Sequence, residues 1–180
     1  MMPAQTEILE KIDDELIRRT LTPYAEKGTV YLKEASTNAF KSSDTVSHTL
    51  KIGESYIVKG EFSISESCYI DDTGHFNAVE FNICYNQLFY VAIAHACSQK
   101  RLNYLQDLTL DEFYIKQLPN IYITHLESHY KRVIDSDEFS GIFRIEKIKR
   151  IRKMIILKTR IEFVDKNEGL AYGKVDVVIT

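Results

Sequence analysis

The stretch Ala78-Val-Glu-Phe-Asn-Ile-Cys-Tyr-Asn-Gln-Leu-Phe-Tyr-Val-Ala-Ile-Ala-His-Ala-Cys97 decides how this chain is read. Its apolar residues do not keep to one stripe; they run almost all the way round a helix. A helix of that pattern is buried on every side rather than laid on a surface. Its most apolar part, around Leu88–Cys97, is too short and too interrupted for a membrane span. Just upstream, Asp71–Thr73–Gly74 reads as a loop, and Asn77 and Glu80 have the spacing of a capping box.

The flanking segments say what must cover this helix. From Ser55 to Ile64 the period is two, with Tyr56, Val58, Phe62 and Ile64 set against Lys59, Glu61 and Ser63, as in a half-buried strand. Residues 109–118 predict a short helix that starts at Thr109, with Glu112 three residues on. Four alternating runs follow, at about 121–134, 139–149, 153–165 and 170–179, and short turns between them predict an antiparallel meander. At the other end, Ile8, Leu9, Ile12, Leu16, Ile17 and Leu21 predict an amphipathic helix over about 6–22, capped by Thr6 and stopped by Pro23. Residues 34–48 are rich in Ser, Thr and Asn and read as an irregular loop. The sum is an α+β single domain over 1–180, an antiparallel sheet wrapped around one long buried helix, which is the hot-dog layout. Such a sheet leaves an edge and part of the helix uncovered, so a homodimer or higher homo-oligomer is expected.

Composition narrows the function classes. The chain has 180 residues, 44% hydrophobic and 27% charged, with eleven Tyr, nine Phe and no Trp, a soluble and strand-favouring make-up. A net charge of -3 gives no global reason to expect nucleic acid. Cys68, Cys84 and Cys97 have neither CxxC nor metal spacing, which suits a reduced, cytoplasmic setting and no metal site. The first residues lack an uninterrupted apolar segment of the signal-peptide kind. No sequence motif for a phosphate, dinucleotide or other cofactor is present. One local exception to the charge balance is Lys147-Ile-Lys-Arg-Ile-Arg-Lys153, taken together with Lys131 and Arg132. It is either a solvated hairpin tip or a docking patch for CoA phosphates or an acidic carrier protein.

The segment from Tyr69 to Asn86 holds the richest set of polar groups, at the mouth of the buried helix. Orphan N–H donors and the positive dipole end there can polarise a thioester carbonyl. His75 can act as a general acid or base, or simply hydrogen-bond a carbonyl in its loop. Asn77 and Glu80 are explained by capping, and Glu80 could equally be catalytic. Asn82, Asn86 and Gln87 are amides in an apolar run, and each needs either a core partner or a substrate. Tyr24 and Tyr69 read as packing residues on pattern alone.

At this cluster the sequence resembles the FcoT-like thioesterase family of hot-dog proteins. The resemblance is carried by Thr73-Gly-His-Phe-Asn-Ala-Val-Glu80 and Cys84-Tyr-Asn-Gln-Leu88, supported by Pro23-Tyr-Ala-Glu-Lys-Gly28, Glu66-Ser-Cys-Tyr-Ile70, Glu138-Phe-Ser140 and Ile161-Glu-Phe163. It runs from about Leu16 to the C-terminus. It implies a tunnel for a long acyl chain and a site in which Tyr24, Tyr69, Asn77 and Asn86 match the family's proposed site residues, without the usual catalytic carboxylate. Gly74-His-Phe76 also resembles the start of the active-site motif of β-hydroxyacyl carrier-protein dehydratases, although their helix-borne acid is not at equivalent spacing here.

The resemblance implies two chemistries. One is hydrolysis of long-chain fatty acyl-CoA. The other is conjugate addition of glycine to C3 of a (2E)-enoyl group on acyl carrier protein, in isonitrile lipid biosynthesis. Addition needs the thioester oxygen polarised and a proton acceptor for the amine, which amides and His75 suit better than they suit hydrolysis. In that reading Tyr69 orients the substrate, and Lys59 or Arg132 meets the glycine carboxylate. A non-catalytic binder of acyl chains or carrier protein is the third expectation.

Overall fold

The structure is a computed structural model that describes residues 9–38, 56–71, 73–100, 102 and 104–180. Its centre is the helix expected from the sequence, here α3 (Ala78–Gln99), fourteen of whose residues are buried. Lys100 ends it in the left-handed region at φ 51°, where its N–H meets the Ala96 and Cys97 carbonyls. The chain order is β1 (Leu9–Lys11), α1 (Asp14–Thr20), α2 (Thr22–Ala25), β2 (Leu32–Asn38), β3 (Tyr56–Phe62), α3, α4 (Leu110–Lys116), β4 (Ile121–Arg132), β5 (Phe139–Ile151), β6 (Met154–Asp165) and β7 (Leu170–Ile179). All seven strands form one antiparallel sheet in the order β1-β2-β3-β5-β6-β7-β4. Its inner face meets α3 through Phe81, Tyr85, Leu88 and Phe89, whose near neighbours include Phe143 and Phe163.

Three expectations change. The helix over 6–22 becomes strand β1 and two short helices, and Thr6 lies outside the described residues. Residues 9–11 pair with Ser36–Asn38, and the helical periodicity takes hold only after Asp13, whose carboxylate accepts from Leu16 N at 3.0 Å. Pro23 does not end a helix but sits in the first turn of α2, where its missing N–H costs nothing. The loop read over 34–48 begins with strand β2, so Glu34–Thr37 pair with β3 and Asn38 with β1; residues 39–48 lie outside the described residues. The four-strand meander is really three strands, β5-β6-β7. β4 crosses to the far edge and pairs with β7, and β3 takes the place beside β5.

The long edge of the sheet is β4. Strand β4 has no partner on its outer side among the described residues, and Tyr122, Ile123, Leu126 and Tyr130 are each more than a third exposed. The part of α3 that leans the same way, Val79, Asn82, Ile83, Asn86 and Tyr90, is incompletely buried.

On the opposite side, Gln87 ties α3 to the start of β2. It is fully buried, its Oε1 accepts from Tyr31 N (3.0 Å) and Leu32 N (2.9 Å), and its Nε2 donates to Thr29 O (2.6 Å). The expectation that Gln87 meets substrate therefore gives way to a backbone clamp. Gln87→Leu leaves two buried donors and one acceptor unpaired, and should lower Tm by roughly 5–15 °C. An unchanged thermal unfolding curve would refute the clamp.

Candidate active site at the first turn of the buried helix

The approach to α3 is held at one end of the sheet. Phe76 N donates to Ile134 O at 3.1 Å, and the Phe76 ring packs 4.9 Å from Phe139 and 5.0 Å from Phe163. Just before it, Gly74 turns the chain at φ 72°, a left-handed conformation that suits glycine. Thr73 Oγ1 donates to His75 O at 3.0 Å, and His75 Nδ1 lies 2.9 Å from Thr73 O. A carbonyl only accepts, so Nδ1 carries the proton. Neutral His75 thus presents Nε2 as its lone-pair nitrogen, on an exposed side chain. The carbonyl-bonded loop histidine and the available base are the same residue.

Asn77 caps α3 from an extended backbone. Its Oδ1 accepts from Val79 N at 2.9 Å and Glu80 N at 3.3 Å, and Glu80 Oε2 accepts from Asn77 N at 3.1 Å. This capping box explains why Glu80 tolerates being 2% exposed: its carboxyl group accepts from the Asn77 N–H at the helix N-terminus. With its oxygen engaged, Asn77 still has Nδ2, which is buried without a partner. Among the described residues the buried side-chain polar atoms that lack a partner are Ser67 Oγ, Asn77 Nδ2 and Asn82 Oδ1, all within this one segment. Buried polar groups are normally paired, so a run of exceptions marks a place that expects a ligand or a second chain.

A cavity of about 450 Å³ opens beside the cap, lined by His75, Asn77, Tyr130, Lys131, Arg132 and Ile134 among others. Three consecutive β4 residues share this wall, although regular alternation would turn the middle one away. A register shift between Tyr130 and Arg132 accounts for it. Neither Tyr130 nor Ile134 stood out in the sequence, because no periodicity announces a bulge.

The structure divides the expected site residues. His75, Asn77 and Arg132 meet at the cavity, where Arg132 lies 3.7 Å from Glu168. Tyr69 is exposed on the loop before α3. Asn86 is one turn beyond Asn82 on the partly open side of α3; one turn further Tyr90 has its ring 6.5 Å from that of Tyr24, whose hydroxyl pKa is raised by burial. Lys59 is not brought to the site. Alternate β3 residues face α3, and Lys59 points to the other side of the sheet, 2.7 Å from Glu61. The basic patch also splits, for Lys131 and Arg132 flank the cavity while residues 147–153 lie at the opposite end of the sheet. Cys84 is fully buried and Cys97 nearly so, and burial pushes the Cys97 thiol up to about 12, leaving both unfit as nucleophiles at neutral pH. No group of His, Cys, Asp or Glu among the described residues is placed to hold a metal ion.

Capping and ligand contact can be separated at Asn77. Serine caps as well as asparagine, so Asn77→Ser should shift stability by under about 0.5 kcal/mol, whereas Asn77→Ala costs about 1 kcal/mol. Equal melting curves for the two variants would contradict the cap.

Comparison with known proteins places this geometry. The sequence profile of the FcoT-like thioesterase domain matches residues 19–179. The chain is 34% identical to a (2E)-enoyl-[ACP] glycyltransferase of Mycobacterium marinum, over 92% of this chain and 85% of that protein. It is 32% identical to the enzyme of the same name from Mycobacterium tuberculosis, over 92% and 86%. A thioesterase structure from Haemophilus influenzae superposes with a TM-score of 0.51 at 7% identity, covering 95% of this chain and 92% of that one, which supports the fold alone. Among the described residues no helix is long and apolar enough to cross a membrane. By profile, by relatives along nearly its whole length and by the buried helix with its capped mouth, the chain belongs to the FcoT-like thioesterase family.

Proposed function

We propose that this chain adds glycine to C3 of a (2E)-enoyl group carried as a thioester on an acyl carrier protein, as a cytoplasmic enzyme of isonitrile lipid biosynthesis. The observation that carries the reading is the Asn77 amide donor, buried without a partner in a residue that lines a cavity bordered by His75 and Arg132. Relatives named for this addition over 92% of the chain point the same way.

In this mechanism the thioester oxygen accepts from Asn77 Nδ2 in the field of the α3 N-terminus. The glycine nitrogen bonds to C3, the C2=C3 pair moves to C2 and the carbonyl, and negative charge gathers on the oxygen that Asn77 holds. His75 Nε2 takes the proton released by the new ammonium, and the imidazolium returns it to C2 as the carbonyl reforms. Arg132 faces the glycine carboxylate. Tyr69 closes over the thioester, and Asn86 and Tyr24 lie along the path of the acyl chain. Glu80 holds the cap, its carboxylate already engaged by Asn77 N. Hydrolysis of long-chain acyl-CoA is the second reading, since His75 Nε2 could activate a water instead. A binder without catalysis is the third.

Mass spectrometry of enoyl-carrier protein incubated with glycine separates them. The expected product is heavier by one glycine; free acid would mean hydrolysis, and unchanged substrate would mean binding alone. His75→Ala should lower kcat about 10²–10⁴-fold, and Asn77→Ser should lower it comparably while the fold persists. An unimpaired His75→Ala removes the proton-transfer role.

The acting unit in this proposal is a homodimer made by antiparallel pairing of β4 with β4 of a second copy, an arrangement that covers the exposed twelve-residue edge. Leu126 falls near the two-fold axis, so Leu126→Lys sets like charges against each other. The wild-type chain should sediment as a dimer and the variant as a monomer; a monomeric wild-type chain would refute the pairing.

A further inference from the structure

The run Lys147–Lys153 carries five cations and no acid, in a chain whose net charge is -3. It forms the tip of the β5–β6 hairpin, where Ile151 pairs with Met154 across the turn. All five cations are exposed, and among the described residues Arg150 has the one ion pair of the five, 3.0 Å from Asp107. Ile151 is 49% and Met154 39% exposed between these charges. A solvated tip accounts for cations but not for a concentration of like charge around two exposed apolar side chains. That combination fits an acidic partner surface with apolar residues of its own.

Within one copy the tip is badly placed. The cavity lies where Arg132 pairs with Leu170 and Phe139 with Asp165, whereas the tip lies twelve residues further along β5, about 40 Å away. Antiparallel pairing of two β4 strands reverses this relation. It sets the Arg132 end of one strand beside the Ile121 end of the other. Across the second copy, Ile121 is level with Ile179, and Ile179 is level with Ile155 at the base of the hairpin. From Arg132 to the second copy's β6 and β5 is then three to four strand spacings, about 14–19 Å.

We propose that the β5–β6 hairpin tip of one copy docks the acidic carrier protein whose thioester arm enters the cavity of the other copy. The proposal rests on the enoyl-carrier reading and on the β4 dimer. It assigns the tip a partner, and it makes each site complete only in the pair: the cap and cavity come from one chain and the landing surface from its twin.

The test uses full-length dimers and a reversed tip, Lys149→Glu with Arg152→Glu and Lys153→Glu. Binding of enoyl-carrier protein, measured without glycine, should weaken at least tenfold, and the ratio of kcat/KM for carrier-linked over carrier-free enoyl thioester should fall by a similar factor. Because binding is read without turnover, it stands apart from whether glycine is the nucleophile. A tagged mixed dimer is then made from one chain with His75→Ala and Asn77→Ser and another with the reversed tip. Its intact site faces an intact tip only across the two-fold, so it should recover about half the wild-type rate at low carrier concentration. Carrier affinity unmoved by the reversed tip would overturn the docking surface. A mixed dimer as inactive as its parents would overturn the action across the pair.

Discussion

A helix with no polar face has to be covered on every side, and its first-turn donors must still find acceptors. Nearly everything in this fold answers that pair of demands on α3. The inner face of the sheet covers it with aromatic rings, among them Phe143 against Phe89 and Phe163 against Phe81. The β2 side is closed by Gln87, which satisfies backbone groups that would otherwise be buried and unpaired. Among the described residues only the side towards β4 stays open, and there the helix presents Asn82 and Asn86 instead of leucine or phenylalanine.

Meeting the second demand creates the site. A capping box needs one side-chain oxygen at the cap and one carboxylate three residues later, and Asn77 and Glu80 supply them. Asparagine differs from serine or aspartate in bringing an N–H pair as well. Once its oxygen is engaged by the helix, that pair is left over in a buried place. The carboxylate of Glu80 is engaged by the cap, and the spare group is a donor. A site short of free acid and provided with a donor favours chemistry in which negative charge gathers on an oxygen.

Charge follows the same division between local and global order. The capping charge of Glu80 is fixed by its own helix. The cations that reach the cavity depend on a bulge near the end of β4, and those at the hairpin tip depend on a strand order that carries them to the other end of the molecule. Cations of one basic set in the sequence, such as Arg132 and Lys153, lie at opposite ends of the sheet.

The chain's own pattern determined α3, its Asn77–Glu80 cap, the Thr109–Glu112 cap of α4 and the period-two strands, because each depends on residues within a few positions of one another. The polar mouth of the helix was legible for the same reason. Tertiary structure alone decided that residues 9–11 are a strand, since only pairing with Ser36–Asn38 outweighs their helical spacing. It alone decided that β4 lies at the far edge, that Lys59 faces away from the helix, and that Gln87 holds backbone. These outcomes depend on which distant segment arrives beside a residue, and a one-dimensional pattern does not carry that information.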